Sequence, residues 1–408
     1  MKILRIIARL NVGGPARHVV WLTRELQDAE FQTALIAGSV PDGEEDMGYF
    51  AEQNRVAPIY LKDMSRELSA KDITSIFKIY SIIRREKPDI IHTHTAKAGT
   101  VGRLAGWMYR WLTWRTLIGR PHHVRMVHTF HGHVFHSYYG NAKTRLFLIV
   151  EKVLARLATD KIIAISDQQL REINQDFGVG REKQFKVVPL GIDLEAFYSD
   201  AADRKSIRDE INASDDEIVV GFVGRLTEIK NIGHLLDVAA MYNNELSEYS
   251  KAPIKFVIVG DGHLRVELEA KARKLGITDN LTFLGNRNDT ARVYQGLDIV
   301  ALTSLNEGTP LSLIEAMASG RPVISTLVGG VVDLLGPVRE DAGGYQIRER
   351  GIGIESRSVG DYLKGLDHLA ENRKLRDDLA EAGRRFVREK YSKERLVDDI
   401  KQLYRELA

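Results

Sequence analysis

Short apolar runs rich in β-branched residues alternate with amphipathic segments along almost the whole chain, and this alternation is the strongest constraint on the fold. The runs form two series, which predict strands at 3–7, 33–37, 90–92, 126–130, 162–165 and 186–189, and again at 218–223, 255–259, 281–284, 299–302 and 323–325. Helical periodicity predicts helices at 17–26, 73–84, 144–157, 168–176, 234–247, 264–275 and 311–319. Because strands separated by helices pair in parallel, the pattern predicts two doubly wound α/β domains.

The chain length of 408 residues also indicates two cores rather than one. A polar stretch at 199–216, rich in Ala, Asp and Lys, opens the second series of strands. We therefore predict a first domain at 1–193, a second domain at 194–390 and a charged terminal helix at 391–408.

Cysteine and charge content narrow the classes of function. The chain has no cysteine, which excludes disulfides, thiolate metal sites and a cysteine nucleophile and fits a reducing compartment. Its net charge of +2 gives no indication of nucleic-acid binding. The first seven residues are too short and too charged for a signal peptide, and no apolar run approaches ~18 residues, so we expect a cytoplasmic protein without a transmembrane helix.

The stretch between Asp89 and Glu151 contains no acidic residue. It holds eight of the twelve histidines and the cations Lys97, Arg103, Arg110, Arg115, Arg120, Arg125, Lys143 and Arg145. This imbalance predicts an anionic partner for the first half of the chain.

Two carboxylates, Glu307 and Glu315, flank the Gly-Thr-Pro turn at 308–310. A predicted strand precedes the turn and a helix follows it, so Glu307 lies at the carboxyl end of a strand. Open α/β sheets bind ligands at that end, and the amides of a helix N-terminus can bind phosphate. The alternative is a surface helix that carries two solvated glutamates.

Two further strand-to-helix loops suit a phosphate. Gly13 and Gly14 follow the first strand, where glycine lets backbone amides approach an anion, although an ordinary turn has the same pattern. Arg225 and Lys230 follow the first strand of the second series and could bind the two phosphate groups of a diphosphate. The alternative for this second loop is a solvated basic segment.

Histidines cluster around the predicted strand 126–130, at His128, His131, His133 and His136. Zinc sites usually add a carboxylate or thiolate ligand, and neither lies nearby in sequence, so we expect no metal here. Strand alternation sends His128 to the face opposite His131. His131, at a strand end beside Gly132, suits a polar contact to a reacting substrate, unless these histidines only hold the turn.

The segment 107–115 carries Trp107, Trp111 and Trp114 together with two arginines. On one short helix these residues suit the interface of a membrane with anionic lipid. Base stacking with phosphate contacts is an alternative, and so is a helix packed on its own domain with snorkelling arginines.

No two aspartates in the chain are separated by a single residue. The metal-chelating Asp-x-Asp of many nucleotide-sugar transferases is therefore missing, so chemistry of that kind is expected to need no bound Mg²⁺ or Mn²⁺.

These motifs, in this order, resemble glycosyltransferase family 4, the retaining enzymes of the GT-B fold in the glycogen-phosphorylase-like superfamily. The resemblance covers essentially the whole chain and rests on Gly13-Gly14, His92-Thr93-His94 with Lys97-Ala98-Gly99, Thr129-Phe130-His131-Gly132, Val188-Pro189-Leu190-Gly191-Ile192-Asp193, Gly224-Arg225 with Lys230, Gly260-Asp261-Gly262, and Glu307 with Glu315. Each motif is common alone, whereas their joint order and spacing are specific.

The resemblance implies two Rossmann-like domains that face each other across a cleft. The domain at 1–193 would bind the acceptor, the domain at 194–390 would bind the nucleotide-sugar donor, and the helix at 391–408 would pack back on the first domain.

The family also implies roles for single residues. Arg225 and Lys230 match the pair that holds the donor diphosphate, Glu315 matches a ribose contact, Glu307 lies beside the transferred sugar, and His131 approaches its reacting carbon. The predicted catalytic residues are thus His131, Glu307, Arg225 and Lys230. The other predicted donor contacts are Gly14, Gly308, Thr309, Pro310, Leu311 and Glu315. Candidates for acceptor or membrane contact are Arg17, Lys97, Trp107, Trp111 and Trp114.

We therefore expect a retaining, metal-independent glycosyltransferase without a cofactor. Its donor would be a UDP- or GDP-linked sugar, and its acceptor a lipid-linked glycan or another cell-envelope saccharide, at the inner face of a membrane. Two alternatives stay open. One is a sugar-nucleotide isomerase similar to UDP-N-acetylglucosamine 2-epimerase, which shares the two-domain fold, and the other is a non-catalytic saccharide- or membrane-binding module.

Overall fold

The computed structural model describes residues 1–11, 14–40, 46–64, 71–131, 141–197, 201–249 and 253–408. The chain forms two compact units. The first comprises Met1–Ile192 together with Lys393–Ala408, and the second comprises Asp193–Ser392.

Parallel strands form the sheet of the first unit. Its strands are β1 (Lys2–Ile7), β2 (Gln32–Gly38), β3 (Ile59–Leu61), β4 (Ile90–His94), β5 (Arg125–Thr129), β6 (Lys161–Ala164) and β7 (Phe185–Val187). They lie in the order β3-β2-β1-β4-β5-β6-β7. The chain moves outward from β1 in one direction and then from β4 in the other, so the topological switch point lies between β1 and β4.

Helices cover this sheet. They are α1 (Gly14–Glu25), α2 (Gly48–Gln53), α3 (Lys71–Glu86), α4 (Ala96–Trp111), α5 (Trp114–Leu117), α6 (Asn141–Leu157), α7 (Asp167–Leu170) with the π-helical turn Arg171–Asp176, and the C-terminal helix Lys393–Leu407. The C-terminal helix buries Leu396, Ile400, Leu403 and Leu407 against the strand residue Ile3 and its neighbours. The apolar face of this amphipathic helix is therefore part of the core of the first unit.

The sheet of the second unit repeats the same plan and adds an antiparallel edge. Its strands are β8 (Ile218–Val223), β9 (Ile254–Val259), β10 (Leu281–Gly285), β11 (Ile299–Leu302), β12 (Val323–Thr326), β13 (Val338–Asp341), β14 (Gln346–Arg348) and β15 (Gly351–Ile354). Their order is β10-β9-β8-β11-β12-β15-β14-β13, which places the switch point between β8 and β11. The central strands are buried on both faces, as expected for a parallel sheet between helical layers.

The helices of the second unit are α8 (Ala201–Glu210), α9 (Ile232–Tyr249), α10 (Arg265–Leu275), α11 (Thr290–Gly296), α12 (Leu311–Ala318), α13 (Val331–Leu335), α14 (Val359–Glu371) and α15 (Arg373–Lys390). They alternate with its strands from α8 to α13, and α14 and α15 follow the consecutive strands β13, β14 and β15. A single 3₁₀ turn, Glu228–Lys230, connects β8 to α9.

The predicted strands and helices are found close to their expected positions, but the sequence pattern missed β3 and the edge formed by β13, β14 and β15. Strand β13 is exposed at every position, so it has no apolar run to mark it. Strand β15 is buried but carries Gly353, where a Cβ atom would lie 2.6 Å from Leu327. A glycine needed for close packing weakens the apolar pattern of a strand.

The tryptophan-rich segment does not form the single short helix that we expected. Helix α4 ends at Trp111 and a separate helix, α5, begins at Trp114. Leu112 and Thr113 connect the two, and the backbone of Thr113 is extended. Trp111 and Trp114 therefore lie on different helices.

Candidate active site

The loop after β8 is held in place by close backbone contacts in the second unit. A Cβ atom on Gly260 would lie 2.0 Å from the carbonyl oxygen of Gly224, and one on Gly262 would lie 2.4 Å from that of Leu226. The Leu226 amide also donates to the Asp261 carbonyl oxygen at 2.9 Å. Gly260-Asp261-Gly262 is thus a support for the segment that carries Arg225.

The loop after β11 lies against the loop after β8 because adjacent strands deliver both to one edge of the sheet. Thr303 Oγ1 donates to the carbonyl oxygens of Lys230 and Asn231 at 3.2 and 3.0 Å. The Leu305 amide donates to the carbonyl oxygen of Ile229 at 2.8 Å. These bonds fix two loops that are 70–80 residues apart in sequence.

Lys230 and Glu307, predicted to act on the same donor, form an ion pair. Lys230 Nζ lies 2.5 Å from Glu307 Oε1, and their side chains are 20% and 10% exposed. Ser304 Oγ donates to the same carboxylate oxygen at 2.6 Å. Lys230 and Glu307 are therefore paired at the carboxyl end of the sheet.

The side chain of Arg225, unlike that of Lys230, has no bonding partner in the described part of the chain. Its side chain is exposed, and in the described part of the chain it makes no ion pair or hydrogen bond. It follows Gly224 on the loop that also carries Lys230, so this loop holds one unpaired guanidinium and one paired ammonium group.

The turn between the two glutamates packs tightly on a glycine pair. Gly330 donates its amide to the carbonyl oxygen of Glu307 at 3.1 Å. A Cβ atom on Gly330 would lie 1.8 Å from the carbonyl oxygen of Gly308, so a larger residue could not occupy this position without moving the turn. Helix α12 then begins at Leu311, with Pro310 as its N-cap.

Glu315 lies inside α12, where Tyr294 positions it. Tyr294 Oη, on α11, contacts Glu315 Oε2 and the carbonyl oxygen of Ser312, both at 3.1 Å. Burial, together with the carboxylate of Glu315, raises the pKa of Tyr294 well above its usual value, so the hydroxyl keeps its proton and acts as a donor. The predicted ribose contact is therefore a fixed, half-buried acceptor.

In the first unit, the predicted phosphate turn is described only in part. Gly14 is the first residue of α1, whereas Gly13 lies outside the described residues. Arg17, one turn into α1, is half-buried. Gly14 and Arg17 thus share the first turn of a helix whose N-terminus faces the carboxyl end of β1.

Three histidines come together at this same edge of the sheet. His94, at the end of β4, places Nδ1 2.9 Å from Nε2 of His131, which follows β5. The ring of His18, on α1, lies 4.9 Å from the ring of His131, edge to face. Burial lowers the pKa of His131 to about 4 and lowers those of His18 and His94 well below the usual value.

His128 takes the opposite face, as strand alternation predicts. Its Nδ1 lies 2.9 Å from Thr93 Oγ1, and its ring packs edge to face on Phe130. His133 and His136 lie outside the described residues. Of the histidines near β5 that the structure describes, only His131 therefore joins the cluster at the sheet edge.

A polar column behind this cluster was not predicted from the sequence. His92 Nδ1 lies 2.6 Å from Tyr404 Oη, on the C-terminal helix, and its other nitrogen lies 2.7 Å from Thr129 Oγ1. Arg5 Nη2 donates to the same tyrosine hydroxyl at 3.3 Å. An arginine inside the apolar run of β1 is the signal that could have revealed this column.

The prediction that Lys97 contacts an acceptor or a membrane is wrong. Its side chain is 5% exposed and its ammonium lies 2.7 Å from the carboxylate of Asp72, on α3. This buried ion pair joins α3 to α4, so Asp72 already neutralises the charge of Lys97.

The three tryptophans differ in their access to solvent. Trp107 is half-buried, Trp111 is 39% exposed and Trp114 is 71% exposed, near the exposed Leu117 and Ile118. None of the described helices is both long enough and apolar enough to cross a membrane.

Two family models match the chain, one over most of each compact unit. Residues 12–196 match the family model described as Glycosyltransferase Family 4, and residues 203–386 match the one described as Glycosyl transferases group 1. The chain belongs to the family 4 glycosyltransferases. This assignment confirms the family resemblance and the prediction of an enzyme, and it supports neither the isomerase nor the non-catalytic alternative.

Two relatives of this glycosyltransferase are similar to it over most of its length. An Escherichia coli protein named UDP-Gal:alpha-D-GlcNAc-diphosphoundecaprenol alpha-1,3-galactosyltransferase is 28% identical over 353 residues, which are 86% of this chain and 84% of that protein. The Bacillus subtilis putative glycosyltransferase EpsF is 26% identical over 79% of this chain and 78% of its own length.

Among solved structures, Anabaena HepE in complex with UDP is 20% identical, with a TM-score of 0.78 over 100% of both chains. Sucrose-phosphate synthase from Thermosynechococcus elongatus is also 20% identical, with a TM-score of 0.77 over 100% of this chain and 99% of that chain. Together with the two predominantly parallel sheets, these likenesses confirm the predicted GT-B fold class.

Proposed function

We propose that this enzyme is a retaining, metal-independent glycosyltransferase that moves a hexosyl group from a UDP-linked sugar to a lipid-linked or other cell-envelope saccharide. The observation that carries the proposal is the grouping of Arg225, Lys230 and Glu307 on two neighbouring loops at the switch point of the second unit. Ligands of doubly wound sheets bind at that point.

The second unit supplies the groups that a nucleoside diphosphate needs. Arg225 offers a free planar fork and Lys230 a point charge, so together they would bind the two phosphates. The amides of the turn at 308–311 and the start of α12 would add donors aimed at the same charge. Glu315, held by Tyr294, would accept a hydrogen bond from the ribose hydroxyls.

The chemistry of the donor explains why cations matter more than a carboxylate nucleophile. The leaving group is a diphosphate, and negative charge develops on it as the bond to the sugar breaks. Fixed cations and amides stabilise that charge in place, which is the largest single contribution in many enzymes. We propose that retention proceeds on one face of the sugar, with the departing phosphate helping to deprotonate the acceptor hydroxyl.

Glu307 and His131 are proposed as contacts to the transferred sugar. Glu307 Oε1 already accepts hydrogen bonds from Lys230 and Ser304, so a sugar hydroxyl would compete for that oxygen. His131 is neutral at physiological pH because burial lowers its pKa to about 4, so it would interact as a hydrogen-bonding group rather than as a charge.

Metal independence is proposed from the sequence, because the chain lacks an Asp-x-Asp chelating motif. Arg225 and Lys230 would take the place of a divalent cation on the diphosphate. Chelators should therefore leave the rate of transfer unchanged.

The proposed acceptor rests on one relative and one charge pattern. The Escherichia coli relative is named for a diphosphoundecaprenol-linked acceptor. Within the acid-free stretch 90–150 of the first unit, the exposed Arg115 and Arg120 would favour such an anionic, lipid-linked substrate at the inner face of a membrane. Other cations of the stretch pair with acidic residues outside it, namely Lys97, Arg103, Arg110 and Arg125. Arg17, on the first turn of α1, is proposed to contact the acceptor.

The proposal is tested with a panel of UDP- and GDP-sugars in thermal shift, followed by transfer to diphosphate-lipid-linked saccharides. We expect one UDP-hexose to stabilise the protein, because a ligand of the folded state stabilises it in proportion to ln(1 + [L]/Kd). The product should keep the anomeric configuration of the donor by NMR, with and without EDTA. An inverted product, or an epimerised sugar formed without acceptor, would refute the proposed reaction.

A further inference from the structure

We propose that His18, His94 and His131 form a binding site for a divalent metal of the zinc class, and that occupation of this site inhibits sugar transfer. Each ring offers one nitrogen, and these three nitrogens lie within 4.8 Å of one another. The inhibitory part of the inference rests on the proposed role of His131 as a sugar contact, whereas the metal site itself does not.

The three rings already approach the geometry of a metal centre. Nitrogens bound to one Zn²⁺ at about 2.0–2.1 Å in a tetrahedral arrangement lie roughly 3.3 Å apart. His94 Nδ1 and His131 Nε2 are 2.9 Å apart, so these two nitrogens need to separate only slightly to reach the spacing of metal ligands. His18 is the ring that has to move, by about 1.5 Å at most, to bring 4.8 Å to that spacing.

Burial of the three rings favours the neutral form of imidazole, which is the form that binds a metal. Imidazole binds a metal only when it is neutral, and protons compete for the same lone pair. Burial disfavours the charged form of all three rings, and for His18 and His94 their histidine neighbours add to the effect. Burial therefore lowers the competition from protons at all three rings.

Unsatisfied nitrogens point to a bound partner at this place. Both ring nitrogens of His18, Nε2 of His94 and Nδ1 of His131 are buried and have no hydrogen-bond partner in the described structure. Native proteins rarely leave so many buried polar atoms of one cluster unpaired, and an ion or water usually accounts for them. A metal on His94 Nδ1 and His131 Nε2 would replace the hydrogen bond between these two atoms, and it would take up one of the two unpaired nitrogens of His18.

The donor set selects the type of metal. The cluster consists of imidazoles alone, and imidazole suits Zn²⁺, Co²⁺, Ni²⁺ and Cu²⁺, whereas Mg²⁺ and Mn²⁺ prefer oxygen ligands. The site therefore differs in kind from the Asp-x-Asp sites that carry Mg²⁺ or Mn²⁺. It is compatible with a transfer reaction that needs no metal.

Inhibition follows from the use of His131. A metal on the cluster would take the lone pair of His131 or fix its ring toward His18 and His94. The ring could then no longer serve the sugar. We expect micromolar Zn²⁺ to slow transfer and EDTA to restore the rate in full.

The test begins with the chelator-treated, full-length protein and Co²⁺, whose absorption spectrum reports tetrahedral nitrogen ligation. One equivalent of Co²⁺ should bind and be displaced by Zn²⁺, and His18→Gln should weaken binding by more than about 100-fold, beyond the 10- to 100-fold that second-shell changes cost. The matched control is His263→Gln, an exposed histidine of the second unit, which should bind Co²⁺ like the wild type. Wild-type protein that binds no equivalent of Co²⁺ or Zn²⁺ overturns the site, whether or not the variants fold.

The second arm measures transfer. His18→Gln should stay active and tolerate Zn²⁺ concentrations that inhibit the wild type and His263→Gln. Metal binding without inhibition overturns the inhibitory role and leaves the site. Metal binding by a protein that transfers no sugar from any donor refutes the proposed function instead, so the two failures are distinguishable.

Discussion

At the scale of single residues, the two cations of the loop after β8 differ in whether their side chains are already paired. Arg225 is exposed and has no ion-pair partner in the described part of the second unit, whereas Lys230 is held by Glu307. An unpaired guanidinium has no ion pair to break when it binds a diphosphate. Arg225 should therefore contribute its full charge-assisted hydrogen bonds to donor binding.

The variant Arg225→Ala tests this contribution. A charge-assisted hydrogen bond is worth about 1.5–3 kcal/mol, so UDP should bind about 10- to 150-fold more weakly in calorimetry. The control is Arg385→Ala, which removes an exposed arginine of α15 in the same unit and should leave UDP affinity unchanged. Wild-type affinity in Arg225→Ala would remove Arg225 from the donor site.

Glu307→Gln tests the Lys230–Glu307 pair. The carboxylate competes with phosphate for Lys230 and repels the diphosphate, so its removal should strengthen the binding of free UDP. Release from a partly exposed ion pair is worth roughly 0.5–1 kcal/mol, which corresponds to about two- to fivefold in Kd. The rate of transfer should fall at the same time, because the sugar loses its carboxylate contact.

Calorimetry with UDP and initial rates with the UDP-sugar separate the two effects of Glu307→Gln. Glu389→Gln, an exposed change on α15, serves as the control and should alter neither quantity. Weaker UDP binding in Glu307→Gln would mean that the carboxylate orients Lys230 for the phosphate rather than competing with it.

At the scale of secondary-structure elements, the C-terminal helix is tied to the first unit by a buried tyrosine. Tyr404 Oη contacts both His92 Nδ1 and Arg5 Nη2. Tyr404→Phe keeps the apolar packing but leaves both buried groups without this partner. We expect the free energy of unfolding to fall by about 1–3 kcal/mol, the cost of an unsatisfied buried polar group.

Urea denaturation measures this loss. Tyr49→Phe is the matched control, because Tyr49 is 50% exposed in the same unit and its hydroxyl can turn to water. The control should stay within about 0.5 kcal/mol of the wild type. Equal stabilities of the two variants would show that the column behind the histidine cluster contributes nothing to docking of the helix.

Ion pairs at the surface of the C-terminal helix should make the stability of the first unit sensitive to acid. A hydrogen bond from Lys401 lowers the pKa of Asp28 from 3.8 to about 2, and one from Arg405 lowers that of Glu30. A depressed carboxyl pKa stabilises the folded state above the unfolded pKa, and the effect is lost as the pH falls through the folded pKa. The contribution of Asp28 is therefore complete above pH 3.8 and disappears toward pH 2.

Comparison of the wild type with Asp28→Asn from pH 5 to pH 2 tests this window. The wild type should be more stable at pH 5, and the difference in unfolding free energy should shrink as Asp28 takes up its proton. A difference that does not change with pH would show that the Asp28–Lys401 pair does not set the acid response.

At the scale of the whole molecule, the exposed apolar side chains near α5 form a surface suited to a membrane. Trp114 is 71% exposed and Leu117 is 89% exposed, and the exposed Arg115 and Arg120 flank them. Interfacial aromatic side chains with nearby cations favour anionic lipid. We propose that this segment brings the enzyme to the membrane that holds a lipid-linked acceptor.

The double variant Trp111→Ala, Trp114→Ala should co-sediment less with anionic liposomes at low salt. Neutral liposomes should capture little of either protein, because surface attraction is electrostatic and screened by salt. Val266→Ala, which removes an exposed apolar side chain of the second unit, is the control. Unchanged co-sedimentation of the double variant would refute the membrane role of this segment.

The sequence alone determined the fold class, because strand and helix periods are local properties and their alternation restricts the sheets to parallel, doubly wound forms. It also placed Arg225, Lys230 and Glu307 on loops at strand ends, since topology assigns every βα loop to the carboxyl edge of the sheet. The tertiary structure then showed Lys230 and Glu307 in contact at 2.5 Å.

Only the tertiary structure decided which polar residues are partners. Lys97 reads as a free cation in sequence but is buried against Asp72, and Arg5 and Tyr404 meet although 399 positions separate them. His18, His94 and His131 converge from α1, β4 and the end of β5 in the same way. Local pattern records which face of an element is apolar, whereas the pairing of distant polar groups depends on how elements pack, and periodicity carries no information about that packing.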